Sequence, residues 1–174
     1  LLLSVARRHR TNSVQEKARS LVEEIAERNG WTQDELADRT IPTAGFETNG
    51  RQVLQLGSRE LIVKLSSDLK VILENEQGKT LKSLPAARQD DDPEQVKQAK
   101  KDFSSSKKEL KQVVDLQGKR LYEAMCVERE WAYAEWKEYL LDHPVMRHLV
   151  QKLVWKFSDG DKSVWARPTA ELEL

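Results

Sequence analysis

Histidine, cysteine and closely spaced carboxylates are the side chains from which this chain could assemble a reactive centre, and their spacing argues against one. His143 and His148 lie five residues apart with Pro144 between them. Two imidazoles that share a helical face sit three or four residues apart, with a further ligand nearby. His9 is distant in sequence. A helix cap at His143 and a half-buried His148 are the expectation. Cys126 sits among Ala124, Met125 and Val127, a setting that suits packing better than attack. A cysteine nucleophile also needs a base and a group to orient it. Cys126 is therefore expected to be a small buried hydrophobe.

The carboxylates divide in the same way. Asp90, Asp91 and Asp92 suggest a cation cluster until Pro93 follows them; an acidic run before proline is the usual start of a helix. Asp159-Gly160-Asp161 is too short for a calcium loop, which needs about 12 residues and a terminal Glu. The chain has no glycine-rich phosphate loop, no Gly-x-Ser-x-Gly elbow and no His-Glu-x-x-His. No catalytic residue, cofactor ligand or metal ligand is expected. The aromatic set is the remaining candidate. Trp131, Tyr133 and Trp136, at helical spacing, read first as packing at a helix junction. With Arg129, Arg147 and Arg167 they read next as an interaction surface, because Trp, Tyr and Arg anchor interfaces, and less readily as a platform for bases.

Elements must position these residues. Val14, Ala18, Leu21, Val22, Ile25 and Ala26 recur at three- and four-residue spacing and predict a helix from Ser13 to Asn29, closed by Gly30. Thr32 and Glu35 form a capping box for a second helix that Pro42 cannot extend. From Gly45 the period falls to two. Val53–Leu56, Leu61–Leu65, Leu69–Leu73 and Thr80–Lys82 are separated by short turns and predict an antiparallel meander of three or four strands covered by the flanking helices. A long helix from Asp92 to about Val127 follows. Its stripe of Val96, Ala99, Phe103, Leu110, Val113, Leu121 and Ala124 is interrupted by Ser106 and Gln117; Ser104–Ser106 and Gly118 are the places where it could break. Trp131–Leu141 and Val145–Leu153 predict two short helices hinged at Asp142-His143-Pro144. Val154–Phe157 and Ser163–Ala166 predict a hairpin.

The expected fold is α+β: N-terminal helices (1–44), a meander (45–85), a long helix with two short aromatic-rich helices (92–153), and a partial hairpin or tail (154–174). Together they are read as one domain. Lys and Arg number 29, as do Asp and Glu, across 174 residues. The balance leaves no bulk field for nucleic acid or an anionic membrane. Lys97, Lys100, Lys101, Lys107, Lys108 and Lys111 keep a nucleic-acid face in view, diluted by Asp102 and Glu109. One cysteine points to a reducing, cytoplasmic setting. The Leu1–Ala6 run precedes its basic residues, the wrong order for a signal peptide. Those first ten residues look like the end of an amphipathic helix, and with no initiator Met they suggest a segment of a longer polypeptide.

The order of motifs carries a resemblance. Trp31-Thr32-Gln33-Asp34-Glu35-Leu36-Ala37-Asp38-Arg39-Thr40-Ile41-Pro42-Thr43 leads into the sheet. Gly78-Lys79-Thr80-Leu81-Lys82-Ser83-Leu84-Pro85, Asp91-Asp92-Pro93, Asp142-His143-Pro144-Val145-Met146-Arg147-His148-Leu149 and Leu153-Val154-Trp155 follow. Over residues 15 to 165 the chain resembles the bacterial molybdate-metabolism-regulator family, a large domain of unknown function sometimes found beside a WGR domain. The resemblance implies a long parent protein, and Lys156 departs from the Gly that relatives tend to carry there. The expected role is a non-enzymatic interaction or scaffold module whose partners are the rest of its own polypeptide or another protein. Nucleic-acid binding beside WGR-type domains is the alternative, and no membrane association is expected.

Overall fold

The structure is a computed structural model that describes residues 11–57, 59–89 and 91–169. The expectations for residues 1–10, for Ser58, for Asp90 and for the tail beyond Thr169 lie outside these. The chain divides into two compact units, one ending at Pro42 and the other beginning at Thr43.

The first unit is a helical pair. Helix α1 (Asn12–Asn29) ends on Gly30, whose left-handed φ of 67° turns the chain sharply. Helix α2 (Gln33–Arg39) opens on the predicted capping box: the Thr32 hydroxyl accepts from Glu35 N–H at 3.2 Å, and Glu35 Oε2 accepts from Thr32 N–H at 2.6 Å. Ala18, Val22, Ala26 and Leu36 form its small core, with Trp31 packed beside them. The Arg39 guanidinium lies 4.5 Å from the centre of the Trp31 ring.

The second unit is α+β. Strands β1 (Arg51–Leu56), β2 (Arg59–Leu65), β3 (Val71–Asn75) and β4 (Thr80–Leu81) form an antiparallel sheet in chain order. Register pairs Leu54 with Leu61, Val63 with Leu73, and Leu73 with Leu81. Leu54, Leu56, Leu61, Val63 and Leu73 therefore make one buried face. The opposite face carries polar contacts, such as Lys64 to Glu74 at 2.5 Å. Leu69 departs from expectation. It sits in the β2–β3 turn with φ of 60° instead of opening the strand.

Helix α3 (Pro93–Cys126) is unbroken over 34 residues, a rod of about 50 Å. Asp92 caps it, accepting from Glu94 N–H at 3.0 Å. Its buried residues are Val96, Ala99, Ser106, Leu110, Val113, Gln117 and Ala124, a three-four repeat that runs straight through the two polar positions read as interruptions. Size explains Ser106, and a hydrogen bond explains Gln117, whose Oε1 accepts from Arg120 at 2.9 Å. The helix packs against β1. Cys126 is exposed, contrary to expectation, because two residues past Ala124 is about 200° around the helix.

One polar contact joins sheet and helix. Asp91, with a side chain only 2% exposed, meets the Arg59 guanidinium at 2.6 Å. The same carboxylate oxygen accepts from Arg88 N–H at 2.7 Å. That N–H, ahead of the Arg59 guanidinium, holds the Asp91 carboxyl below its ordinary value, while burial pulls the other way. Space for it exists because residue 57 is glycine. A Cβ there would lie 2.0 Å from Asp91 Oδ1, and φ is 64°.

Gly57→Ala should destabilise the fold by about 1–3 kcal/mol through its backbone alone, with more from the clash. Adding Asp91→Ala should make the double variant less damaged than the sum of the two single variants, as urea midpoints would show. Gly118, inside α3, has nothing within 4 Å of a built Cβ. Gly118→Ala should therefore raise stability by about 0.5–1 kcal/mol.

Candidate functional site

After α3 the chain turns at Glu128, whose φ is 52°, and enters the aromatic segment. Helix α4 (Tyr133–Trp136) runs directly into a π-helical turn at Lys137–Leu141. The predicted helix from Trp131 thus starts two residues later, and Trp131 stands before it. The wider turn ends where Asp142 N–H reaches Lys137 O at 2.8 Å. The same two side chains close an ion pair at 2.7 Å, and the Asp142 carboxylate raises the Lys137 pKa.

His143 then caps the next helix, α5 (Met146–Val150). Its Nδ1 accepts from the N–H groups of Val145 and Met146, both at 3.2 Å. This fits the cap read from the sequence. Helix α5 is shorter than predicted; residues 151–153 tighten into turns in which Lys152 and Leu153 bond three residues back. His148 is half-buried. Burial first, then the charges of Arg147 and Lys152, hold its imidazole below the ordinary range.

A hairpin of β5 (Trp155–Asp159) and β6 (Lys162–Ala166) completes the segment, close to the predicted limits. Trp136 is the hub of the aromatic packing. Its ring centre lies 5.3 Å from Trp155 and 5.2 Å from Phe157, both edge-on, and 5.9 Å from Tyr133 in a stacked pair. Trp131 meets Trp155 edge-on at 5.7 Å. Trp155 donates its indole N–H to Val150 O at 3.0 Å, fastening the hairpin to α5. Such pairs add about 0.5–1.5 kcal/mol each beyond burial.

The candidate interaction residues separate on this frame. Trp136 is 3% exposed, so it supports the surface from beneath. Trp131 is half-buried, with the Arg129 guanidinium 4.5 Å from its ring centre. Arg147 spends its guanidinium on backbone carbonyls: Asp142 O at 2.8 Å, His143 O and Thr48 O. It is structural wiring between the turn and the lead-in to β1. Arg167 is exposed beyond β6. The structure brings Arg129, Trp131 and Trp136 to one cluster and leaves Arg147 and Arg167 outside it.

Sequence reasoning missed the more accessible residues. Trp165 is 68% exposed and pairs with Lys156 across the hairpin, on the face opposite Trp155 and Phe157. Tyr133, Val154 and Val164 are also exposed. Strict alternation could have separated Trp165 from the cluster, because a strand that turns residue 164 to the same face as Phe157 must present 165 to the other side. Among the described residues no group of three or more His, Cys, Asp or Glu could hold a metal ion, and no helix is long and apolar enough to cross a membrane.

Residues 78–172, from just before β4 through the hairpin, match a family described as a domain of unknown function, DUF4132. The chain belongs to this family. Across 151 residues, 87% of the chain, it is 28% identical to the uncharacterized protein YehI of Escherichia coli strain K12. Those residues span only 12% of that relative's length. No solved structure matches the chain. The family match covers the whole aromatic cluster of this DUF4132 member, while strands β1 to β3 and the first unit precede it.

A pH dependence follows from His148. Its folded-state pKa lies below the unfolded value of about 6.5, so the unfolded chain takes up the proton more readily. Its contribution to stability is complete above that unfolded value and is lost as pH falls through the folded one. Urea midpoints measured at neutral pH and near pH 5 should fall on acidification. His148→Gln should flatten that part of the profile.

Proposed function

We propose that this chain is a non-catalytic interaction module of a long protein, docking through its aromatic C-terminal third to the rest of its own polypeptide or to a protein partner. The observation that carries the reading is the distribution of exposed apolar surface. Ten large hydrophobic residues are exposed among the described residues, and seven of them, from Tyr122 to Trp165, lie between residues 122 and 165. Scattered exposed hydrophobics are ordinary; a concentration rimmed by charge is what an interface offers. The end of α3 contributes Tyr122, Met125 and Val127, and the aromatic cluster contributes Tyr133, Val154, Val164 and Trp165.

The disposition of the reactive side chains supports the same reading. His143 is occupied as a cap, Arg147 as a carbonyl clamp, and Asp91 in its ion pair. The hairpin is two-stranded, and such a pair is marginal by itself, which favours a module completed by further protein. The curated relative is several times longer than the matched span, so further chain is available in that protein. The molybdate-metabolism resemblance and a cytoplasmic location belong to this proposal as its setting.

Nucleic-acid binding beside WGR-type domains is the second reading, favoured only by the exposed lysines of α3. Acidic residues interleave with them: Glu94 lies 3.5 Å from Lys97, and Asp102 and Glu109 share the helix. It ranks second for that reason.

The test is affinity capture with the 174-residue chain as bait, alongside Trp165→Ala and Tyr133→Ala. A specific protein partner, in cis or in trans, should be retained, and the double variant should weaken retention roughly tenfold or more, as truncated aromatic anchors do. Retention that ignores both substitutions would count against this surface. A shift of short DNA at low salt would favour the second reading.

A further inference from the structure

α3, the β3–β4 end of the sheet and Leu149 and Lys152 at the end of α5 enclose an open groove of about 860 Å³. Its floor is apolar, with Leu73 and Leu110 only 3% and 5% exposed. Phe103 and Val114 wall it along the helix, and Leu69 and Leu81 along the sheet. Five lysines surround this floor: Lys70, Lys82, Lys107, Lys111 and Lys152. Against them stand two aspartates, Asp68 and Asp115. Both aspartates already face a lysine: Asp68 is 3.6 Å from Lys70, and Asp115 is 3.4 Å from Lys119 outside the groove. Among the described residues Lys82, Lys111 and Lys152 have no carboxylate within ion-pair distance. A chain with zero net charge has thus concentrated positive charge around one apolar trough.

The backbone supplies a second observation. Leu69 holds φ of 60°, a conformation that glycine or asparagine adopts at lower cost than leucine. A leucine kept there contributes an apolar wall at the expense of backbone strain, and strain of this kind concentrates at ligand clamps.

We propose that this groove docks an acidic amphipathic helical segment of a partner protein. The inference rests on the interaction-module reading and names a site and a partner chemistry for it. The occupant follows from the lining. An apolar floor requires an apolar stripe, and the lysine rim requires Asp or Glu beside it. The lining runs from Phe103 to Asp115 on α3, about 18 Å of helix, which matches roughly three turns of a partner helix. A single-stranded nucleic acid would find only one aromatic ring, Phe103, and no guanidinium in the groove, whereas such sites rely on stacking and arginine.

The probe is a fluorescein-labelled peptide of about 14 residues with Leu at alternating three- and four-residue spacing and Glu at the other positions. Comparators are the Lys-for-Glu version, a scramble with the Leu residues spread around the helix, and an oligo(dT) strand. Anisotropy with the whole 174-residue chain should show saturable binding of the Glu peptide only, weakening as salt rises. Lys107→Glu with Lys111→Glu, both on exposed helical positions, should cut affinity roughly tenfold or more with an unchanged far-UV spectrum. Leu69→Gly, which relieves the backbone, should also weaken binding without loss of fold. Absence of binding, equal binding of the scramble or the Lys peptide, or indifference to the charge reversal overturns the proposal. So does tighter binding of oligo(dT) lost on the same reversal. Capture that depends on Trp165 but ignores the lysine reversal sinks the groove and leaves the interaction-module reading standing.

Discussion

Where the first hairpin turns back, the Asp91 carboxylate lies over Gly57, gripped by the Arg59 guanidinium and the Arg88 backbone. Arg59 also donates to Ala86 O at 3.2 Å, so one side chain fastens both sides of the loop between β4 and α3. Asp92, the next residue, caps α3. The consequence is positional. The long helix is launched from a point fixed to the β1–β2 turn, and its buried stripe then lies along the sheet. A buried ion pair is weak evidence of net stabilisation, but losing one partner leaves an uncompensated charge. Its value here lies in specifying where the helix begins.

The C-terminal third depends on shape more than charge. Trp136 is enclosed by Tyr133, Trp155 and Phe157, and the π-helical turn after it rotates Leu140 and Leu141 into the core, each 1% exposed. An ordinary helical turn places successive side chains 100° apart; the extra residue in a π turn shifts that phase and marks positions under constraint. Asp142 and His143 then stop one helix and start the next. Arg147 ties the corner to the chain entering β1 through Thr48 O. The aromatic cluster and the sheet are therefore held within one unit, although they are separated by the full length of α3.

Charge and exposed apolar surface are concentrated in different segments of this unit. Toward the hairpin, exposed aromatics and valines dominate. Toward the sheet edge, lysines surround an apolar trough. Zero net charge conceals this sorting, because it counts residues without regard to place.

Much of the fold was legible in the sequence because it rests on local chemistry. The capping box at Thr32, the glycine stop at residue 30, the Asp-Pro helix start, the period-two strands and the His143 cap each involve residues a few positions apart. Their outcomes follow from backbone sterics and unsatisfied N–H groups. The continuity of α3 was not legible, since Ser104–Ser106 and Gly118 have weak propensities that packing against β1 overrides. Nor was the exposure of Cys126, which depends on which helical phase faces the sheet. Leu69 in a left-handed turn runs against leucine's own preference, while the Asp91–Arg59 contact over Gly57 and the lysine-rimmed groove join residues far apart in the chain. Sequence spacing determined the elements and their caps; only the tertiary structure decided which faces met, because burial and charge proximity are properties of position in space.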